Sequence, residues 1–585
     1  MPPDTASSSS ARGSFDRAES LRRLGEETFD VLVVGGGVTG AGVALDAAAR
    51  GLRTALVERH DFASGTSSKS SKMVHGGIRY LQQRDFRLVY EALHERQRLI
   101  ENAPHLVAPL PFLIPLFGRD GAVNKGVARA YATALTLYDL TGGLRIGKRH
   151  RRIDRAEALA HLPTLRTDRL VAGFIYYDAR ADDARLTLTL ARTAALDYGA
   201  VVTNYAEAVE LLADHAGQVR GARVRAAVTA AGGGDVLENG ADLEVRARVV
   251  VNATGVWADD VRALGERSHP HSMRPAKGIH VTVPRAKLPA DIAAVIPVPG
   301  DRRSIFVVPW ADGADVYLGT TDTDWDGPLD DPACLPDDVD YLLGAANSVV
   351  TEPIARSDVT AVWAGLRPLL APTRGHRMSA RTADLSRRHT VRTGPDGLVT
   401  VTGGKLTTYR KMAEDTMEVV ARRLGPHLPD GARRCPTRRL PLRGSAGLDA
   451  LRRPAAGARF GLDDDVFAAL VARHGGETPA VLELASGRRD LLEPLVAGMP
   501  HLRVEALWAA RQEMAVTVDD VLARRTRCVV RRARASADAA PDVGALLAPE
   551  WGRQAEVVAR DVAAFTERAR RDLARAGLDA VPTPP

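Results

Sequence analysis

Cysteine is scarce in this 585-residue chain: Cys334, Cys435 and Cys528 are the three present, far apart and in no C-x-x-C pair. That spacing excludes a disulfide framework and gives no support to a zinc or iron–sulfur centre, so no metal is expected and a reducing cytoplasm fits. Uninterrupted apolar runs of about 20 residues, the length needed to span a bilayer, are also missing. The opening residues hold the run Ser7-Ser8-Ser9-Ser10 but no apolar stretch with a cleavage site. A secretory signal is therefore not expected, and residues 1–28 read as a disordered tail. No internal repeat is present.

Hydrophobic residues make up 45% and charged residues 26% of the chain, values typical of a folded globular protein. Its length exceeds what one hydrophobic core supports, so two or more packed units are expected. The formal net charge of +7 suits an anionic substrate, an anionic membrane surface or nucleic acid, with solvated arginine as the plainest explanation.

The run Phe29-Asp30-Val31-Leu32-Val33-Val34 is β-branched and apolar, as in a parallel strand buried on both faces. Gly35, Gly37 and Gly40 follow as G-x-G-x-x-G, and the alanine-rich residues 41–50 read as a helix ended by Gly51. The first glycine permits the tight turn, the second lets backbone N–H groups approach a pyrophosphate, and the third lets helix pack on strand. A second strand, Thr54-Ala55-Leu56-Val57, ends in Glu58, where an acid accepts hydrogen bonds from adenosine ribose hydroxyls. An acid there disfavours a 2′-phosphate, so FAD or NAD is preferred to NADP.

Two later segments repeat the design of an apolar strand delivering backbone to a small-residue turn: V-V-V-N-A-T-G at 249–255 and V-T-V-T-G-G-K at 399–405. An NAD-binding half needs no such returns, whereas a protein that wraps FAD draws on scattered segments. With SGTSSKSSKMVHGGIRYL at 64–81, NATG at 252–255, GTTD at 319–322, GLRP at 365–368 and GGKLTTYR at 403–410, the chain resembles FAD-dependent glycerol-3-phosphate dehydrogenases. The likeness runs from about residue 30 to 410, and more weakly beyond, where DVLARRT at 520–526 resembles a D-x-x-x-R-R-T motif of that family. It implies an α/β fold: a Rossmann-like FAD-binding domain interrupted by a mixed-sheet substrate domain, plus a helical C-terminal domain. The oxidoreductase region is expected over 29–430, with FAD-binding segments near 29–110, 178–265 and 360–425. The helical domain follows over 445–570 and a tail over 571–585.

Oxidising a phosphorylated secondary alcohol requires cations for the phosphate, a base for the hydroxyl proton and a flavin placed to take the hydride. The resemblance makes Arg79, Arg367 and Lys405 substrate cations, with Arg387 a further one and Tyr80 and Thr321 hydrogen-bonding partners. His280, in KGIHV at 277–281, is the expected base, with His75 as competitor. A histidine's ordinary pKa of about 6.5 suits that task. His280, Arg367 and Lys405 form the expected catalytic set. Besides Gly35, Gly37, Gly40 and Glu58, the expected FAD contacts are Thr66, Ser67, Ser71, Lys72, His75, Gly77, Ala253, Gly255, Gly404, Leu406 and Thr407. The acids Asp182 and Asp183 are read as helix capping.

Family members pass electrons to a membrane quinone or, in some branches, to oxygen. Residues 127–140 are largely apolar or small, and Arg145, Lys148, Arg149, Arg151 and Arg152 follow closely. The segment suits either a peripheral contact with the inner face of the cytoplasmic membrane or a core helix with a basic loop. Residues 425–444 read as a linker. The stripe Arg524, Arg525, Arg527, Arg531, Arg532 and Arg534 lacks interleaved aromatics, so it is read as a solvated face or a subunit contact such as a homodimer interface, not as a nucleic-acid site.

Overall fold

The computed structural model describes residues 13–77, 85–118, 125–229, 237–265, 270–301, 303–371 and 388–578. Its first sheet runs in the order Thr390–Thr393, Val399–Thr402, Leu237–Asn252, Thr28–Val34, Thr54–Val57, Val201–Thr203. The pairings along it are parallel except at the Thr390–Thr393 edge. The β-branched run of Thr28–Val34 fits this central place because both of its faces are covered. Val31 and Val33 pack among the helices Val38–Ala49, Asp183–Tyr198 and Tyr409–Leu424. Leu32 and Val34 face the opposite way, onto Leu24 and an antiparallel extension that includes Leu211 and Val224.

Leu24 belongs to a helix, Arg17–Glu26, in a stretch expected to be a disordered tail. Asp16 caps it by accepting from Glu19 N at 2.8 Å. The Arg17 guanidinium donates to the carbonyls of Asn204 and Tyr205 at 3.2 Å each, and Phe15 packs on Phe62 at 5.8 Å. Residues 13–28 are thus part of the fold; what defeats the tail reading is the apolar pair Phe15 and Leu24, which has a core to enter.

The second sheet is mixed and takes strands from two separate stretches of chain, one within 73–181 and one within 276–367. They join where Ala293–Pro297 pairs with Val107–Phe117 in parallel. One face of the sheet, with Phe112, Tyr176, Tyr317 and Trp363, is covered by residues of the helices Phe86–Asn102 and Lys125–Leu140. The latter is a core helix on its inner side: Leu135 and Tyr138 are buried, and Tyr138 Oη donates to Asp178 Oδ1 at 2.6 Å. Its last residue, Leu140, is 71% exposed.

The other face of the second sheet, with Ile279, Val281, Val307 and Leu318, shares one hydrophobic core with Val521, Leu522, Val543, Phe565 and Leu573 of the C-terminal helices. The terminal helix Ala555–Arg575 extends past the expected boundary at 570, and Ala576 and Leu578 beyond it are buried, so residues 571–578 are part of the fold and not of a tail.

The arginine stripe is not a solvated face, since Arg524, Arg525, Arg527, Arg531 and Arg532 bond acids of the same chain. Arg525 grips the fully buried Asp61 at 2.6 and 2.9 Å, and Arg524 Nε adds a bond to Asp61 at 2.6 Å. Arg531 chelates Asp312 and Asp315, and Arg532 reaches Asp315. These arginines point inward because Asp61 and Asp315 are fully buried, and an unpaired buried carboxylate is costly. Burial alone pushes the Asp61 carboxyl up, but the charges of Arg525 and Arg524 hold it below the ordinary range. Asp61→Ala takes from the buried Arg525 the carboxylate it grips, while Arg524 keeps Asp519 and Asp520; we expect a loss of about 3–5 kcal/mol, read as a lowered thermal unfolding midpoint. An unchanged midpoint would show that the pair carries no stability.

Candidate active site

The strands Thr28–Val34, Thr54–Val57, Leu237–Asn252 and Val399–Thr402 end on one side of the first sheet, and their turns line an open groove. A ligand crevice at the carboxyl ends of parallel strands is the expected place in such a sheet. Gly35 turns the chain at φ +110°, a conformation that needs glycine. The helix Val38–Ala49 starts at Gly37 with no side-chain cap, which aims its first turn of N–H groups at the groove. Gly40 does not line the groove but sits beneath it: a Cβ there would lie 1.8 Å from the Gly35 carbonyl oxygen.

Of the residues expected to contact FAD, Gly35, Gly37, Glu58, Thr66, Ser67 and Ala253 line the groove, and Gly255, Gly404 and Leu406 complete it from the other strands. Glu58 accepts from Gly36 N at 2.6 Å and His60 N at 2.9 Å, which fixes the phosphate turn against the second strand. Burial raises its carboxyl pKa, opposed by those two N–H donors. Ser67 Oγ accepts from Val38 N at 2.9 Å, and Thr66 Oγ1 donates to Leu366 O at 2.6 Å, tying the 64–72 loop to both sheets. Trp257, with Arg59 stacked on it at 5.1 Å, and Met412 line the groove as well and were not foreseen. Met412 was legible in retrospect, one helical turn beyond Thr408, where it fills the space a Gly404 side chain would need.

Five other expected cofactor residues, Ser71, Lys72, His75, Gly77 and Thr407, have different places. Lys72 turns away from the groove: its ammonium donates to Ser68 O at 3.1 Å and Asp183 Oδ1 at 3.0 Å. Ser71 Oγ shares a 2.8 Å hydrogen bond with His280 Nε2. His75 N donates to Thr407 Oγ1 at 3.1 Å, joining two loops. Gly77 turns at φ +78°. Asp182 caps its helix as expected, accepting from Ala184 N and Arg185 N at 3.1 Å each.

His280 and Arg367 share one region. His280 lies opposite Gly319 and Trp363 in the second sheet, its ring stacked on Trp363 at 4.6 Å and 7°. Gly319 is required there, since its Cβ would fall 2.0 Å from the imidazole. Burial, with the charges of Lys72 and Arg367, holds the His280 pKa well below the usual histidine value, so the ring is a neutral base at pH 7. Arg367, at the end of Ala361–Arg367, lies over Gly278, two residues from His280 on the same strand. It is held by Asp322 Oδ1 at 3.2 Å, Thr321 O at 2.9 Å and Thr320 Oγ1 at 3.1 Å while keeping 20% of its side chain exposed. The Thr321 hydroxyl is taken by Ile279 N at 3.2 Å. Lys405 lines the groove. Arg79, Tyr80 and Arg387 lie outside the described residues. Among the described residues, no group of three or more His, Cys, Asp or Glu could hold a metal ion.

A dinucleotide groove at the strand ends, tied through the 64–72 loop to a second sheet that carries a buried neutral histidine, defines a flavin-dependent oxidoreductase. The family model for FAD dependent oxidoreductases matches residues 30–410, and that for the C-terminal domain of alpha-glycerophosphate oxidase matches residues 435–558. Glycerol-3-phosphate dehydrogenase 2 of Mycobacterium tuberculosis is 42% identical over 571 residues, covering 96% of this chain and 92% of that protein. The human mitochondrial glycerol-3-phosphate dehydrogenase is 37% identical over 555 residues, covering 91% and 72%. The structure of the glycerol-3-phosphate dehydrogenase from Bacillus halodurans complexed with FAD superposes with a TM-score of 0.73 at 30% identity, covering 97% of this chain and 98% of that one. The chain belongs to the family of FAD-dependent glycerol-3-phosphate dehydrogenases.

The groove fits FAD, with a helix N-terminus facing it for the pyrophosphate and Glu58 beside it for the ribose. Gly40→Ala should push the helix off its turn, and the purified variant should lack the visible flavin absorption band. Full flavin content in a folded Gly40→Ala protein would overturn this account of the groove.

Proposed function

We propose that the protein oxidises sn-glycerol 3-phosphate to dihydroxyacetone phosphate and passes the electrons to a membrane quinone. The observation that carries this reading is the placing of a buried neutral imidazole, His280, and the partly exposed side chain of Arg367 on neighbouring strands of one sheet, four positions apart in register. Arg367, its fork already held by Lys277, Thr320, Thr321 and Asp322, supplies positive charge for the phosphate, aided by Lys405 at the groove wall, with Arg79 and Arg387 as further cations and Tyr80 as a hydrogen-bonding partner. Thr321 acts by holding the strand that carries His280. His280 accepts the proton of the secondary hydroxyl. Bound FAD supplies the acceptor for the hydride that leaves the same carbon. Thr66, Ser67 and Glu58 hold the loops that line the cofactor, and Trp363 fixes the plane of the base.

The basic run Arg145, Lys148, Arg149, Arg151 and Arg152 and the exposed Leu140 beside it support a peripheral contact with an anionic membrane. Among the described residues no helix is long and apolar enough to cross one. Oxygen as acceptor is a second reading, favoured by the match of residues 435–558 to an oxidase's C-terminal domain.

Anaerobic addition of glycerol 3-phosphate should bleach the flavin, and a short-chain quinone should restore its colour faster than air does; absence of bleaching would sink the proposal, and faster reoxidation by air would replace the quinone with oxygen. His280→Asn should slow bleaching by about 10²–10⁴-fold. Because the His280 pKa is lowered, the ring stays in its basic form as pH falls through about 6.5. Flavin reduction at saturating substrate should therefore lose rate only below that pH; an acidic limb at or above it would contradict the assignment.

A further inference from the structure

The loop 64–72 connects the cofactor groove to His280, and its far end is fastened by a residue more than 450 positions away. Arg527 is 3% exposed and adopts φ +64°. Its Nη1 donates to Ala523 O at 2.7 Å, and its Nη2 to Ser68 O and to Asp183 Oδ1, the latter at 3.2 Å. Asp183, fully buried, accepts from Ser70 N at 3.0 Å and Ser70 Oγ at 2.7 Å through its other oxygen. Lys72 is bound to the same two acceptors as Arg527, Ser68 O and Asp183 Oδ1. Ser71 is therefore flanked by two residues anchored on one carboxylate, and Ser71 Oγ meets His280 Nε2 at 2.8 Å. Tyr317 Oη donates to Ser71 O at 3.0 Å and closes the other side.

We propose that Arg527 of the C-terminal region is a positioning residue for the reaction: through Asp183 and Ser70 it sets where Ser71 holds the His280 imidazole. The proposal rests on the reading of His280 as the base. Neither Arg527 nor Asp183 touches the groove, so their effect passes through the loop. The alternative is that Arg527 only neutralises a buried acid. That role is also open to Lys72, which already pairs with Asp183; Arg527 adds the second grip on the Ser68 carbonyl, and this holds the loop from the side opposite the base. A left-handed backbone at a non-glycine residue is uncommon and persists only where surrounding contacts over-determine it. Here those contacts are the three acceptors of its guanidinium.

The test uses the full-length holoenzyme and compares Arg527→Met, Arg527→Lys, Ser70→Ala and His280→Asn. With FAD content and visible spectrum retained, Arg527→Met should reduce its flavin up to about 10²-fold more slowly at saturating glycerol 3-phosphate, while half-saturation moves by less than about threefold. Arg527→Lys should recover part of that rate, because an ammonium still reaches one of the two acceptors. Ser70→Ala, which keeps both buried charges, should be slowed as well, and it carries the test if Arg527→Met does not fold. A wild-type reduction rate in flavin-loaded Arg527→Met, or in Ser70→Ala, alongside an impaired His280→Asn, would overturn the positioning role alone. A wild-type rate in His280→Asn would instead remove the base on which the proposal stands.

Discussion

Asp61 and Asp183 are both fully buried, one just after the strand that carries Glu58 and one at the head of a helix behind the 64–72 loop. Each is matched by arginine from a single short stretch, 524–527. Without those guanidiniums the protein would hold charged carboxylates in a dry interior next to its cofactor loops, a cost of several kcal/mol per ion. With them, the C-terminal region becomes a clamp across the two sheets. Arg531 and Arg532 continue it onto Asp312 and Asp315 of the second sheet. The sheets contribute the strands and turns of the site, and this clamp holds them in register.

The parts legible in the sequence are those set by local rules. The strand, glycine turn and helix of 29–50 follow from β-branched residues, φ-permissive glycines and alanine, and they stand where that pattern puts them. The returning strands at 249–255 and 399–405 also end at the same groove. Capping by Asp182 was readable because it depends on residues two and three positions away.

The missed features depend on distant partners. Arg524 to Arg534 look like a solvated stripe when only neighbours in sequence are considered, since the buried Asp61 and Asp315 that turn them inward lie some 215 to 465 residues earlier. Lys72 sits in a loop of hydroxyls that suggests phosphate contact, yet Asp183 claims it. Residues 13–28 resemble a polar tail until Leu24 and Phe15 find apolar surface made by later strands. In each case the side chain's direction is decided by which charge or surface is buried opposite it, and a single chain read locally holds no record of that.

The second sheet is woven from strands that leave the ribosome far apart, 73–181 and 276–367, with four described strands of the first sheet between them. The groove wall at Gly403 and Gly404 comes later still, and Arg525 after that. A growing chain thus passes about two-thirds of its synthesis before any cofactor pocket has all its walls, and nearly nine-tenths before the clamp can close. Until then the alanine-rich helix and the apolar strands of the amino-terminal half must wait with faces uncovered. The order of the chain makes this enzyme a late-closing fold, dependent on keeping its first half soluble until its last arginines arrive.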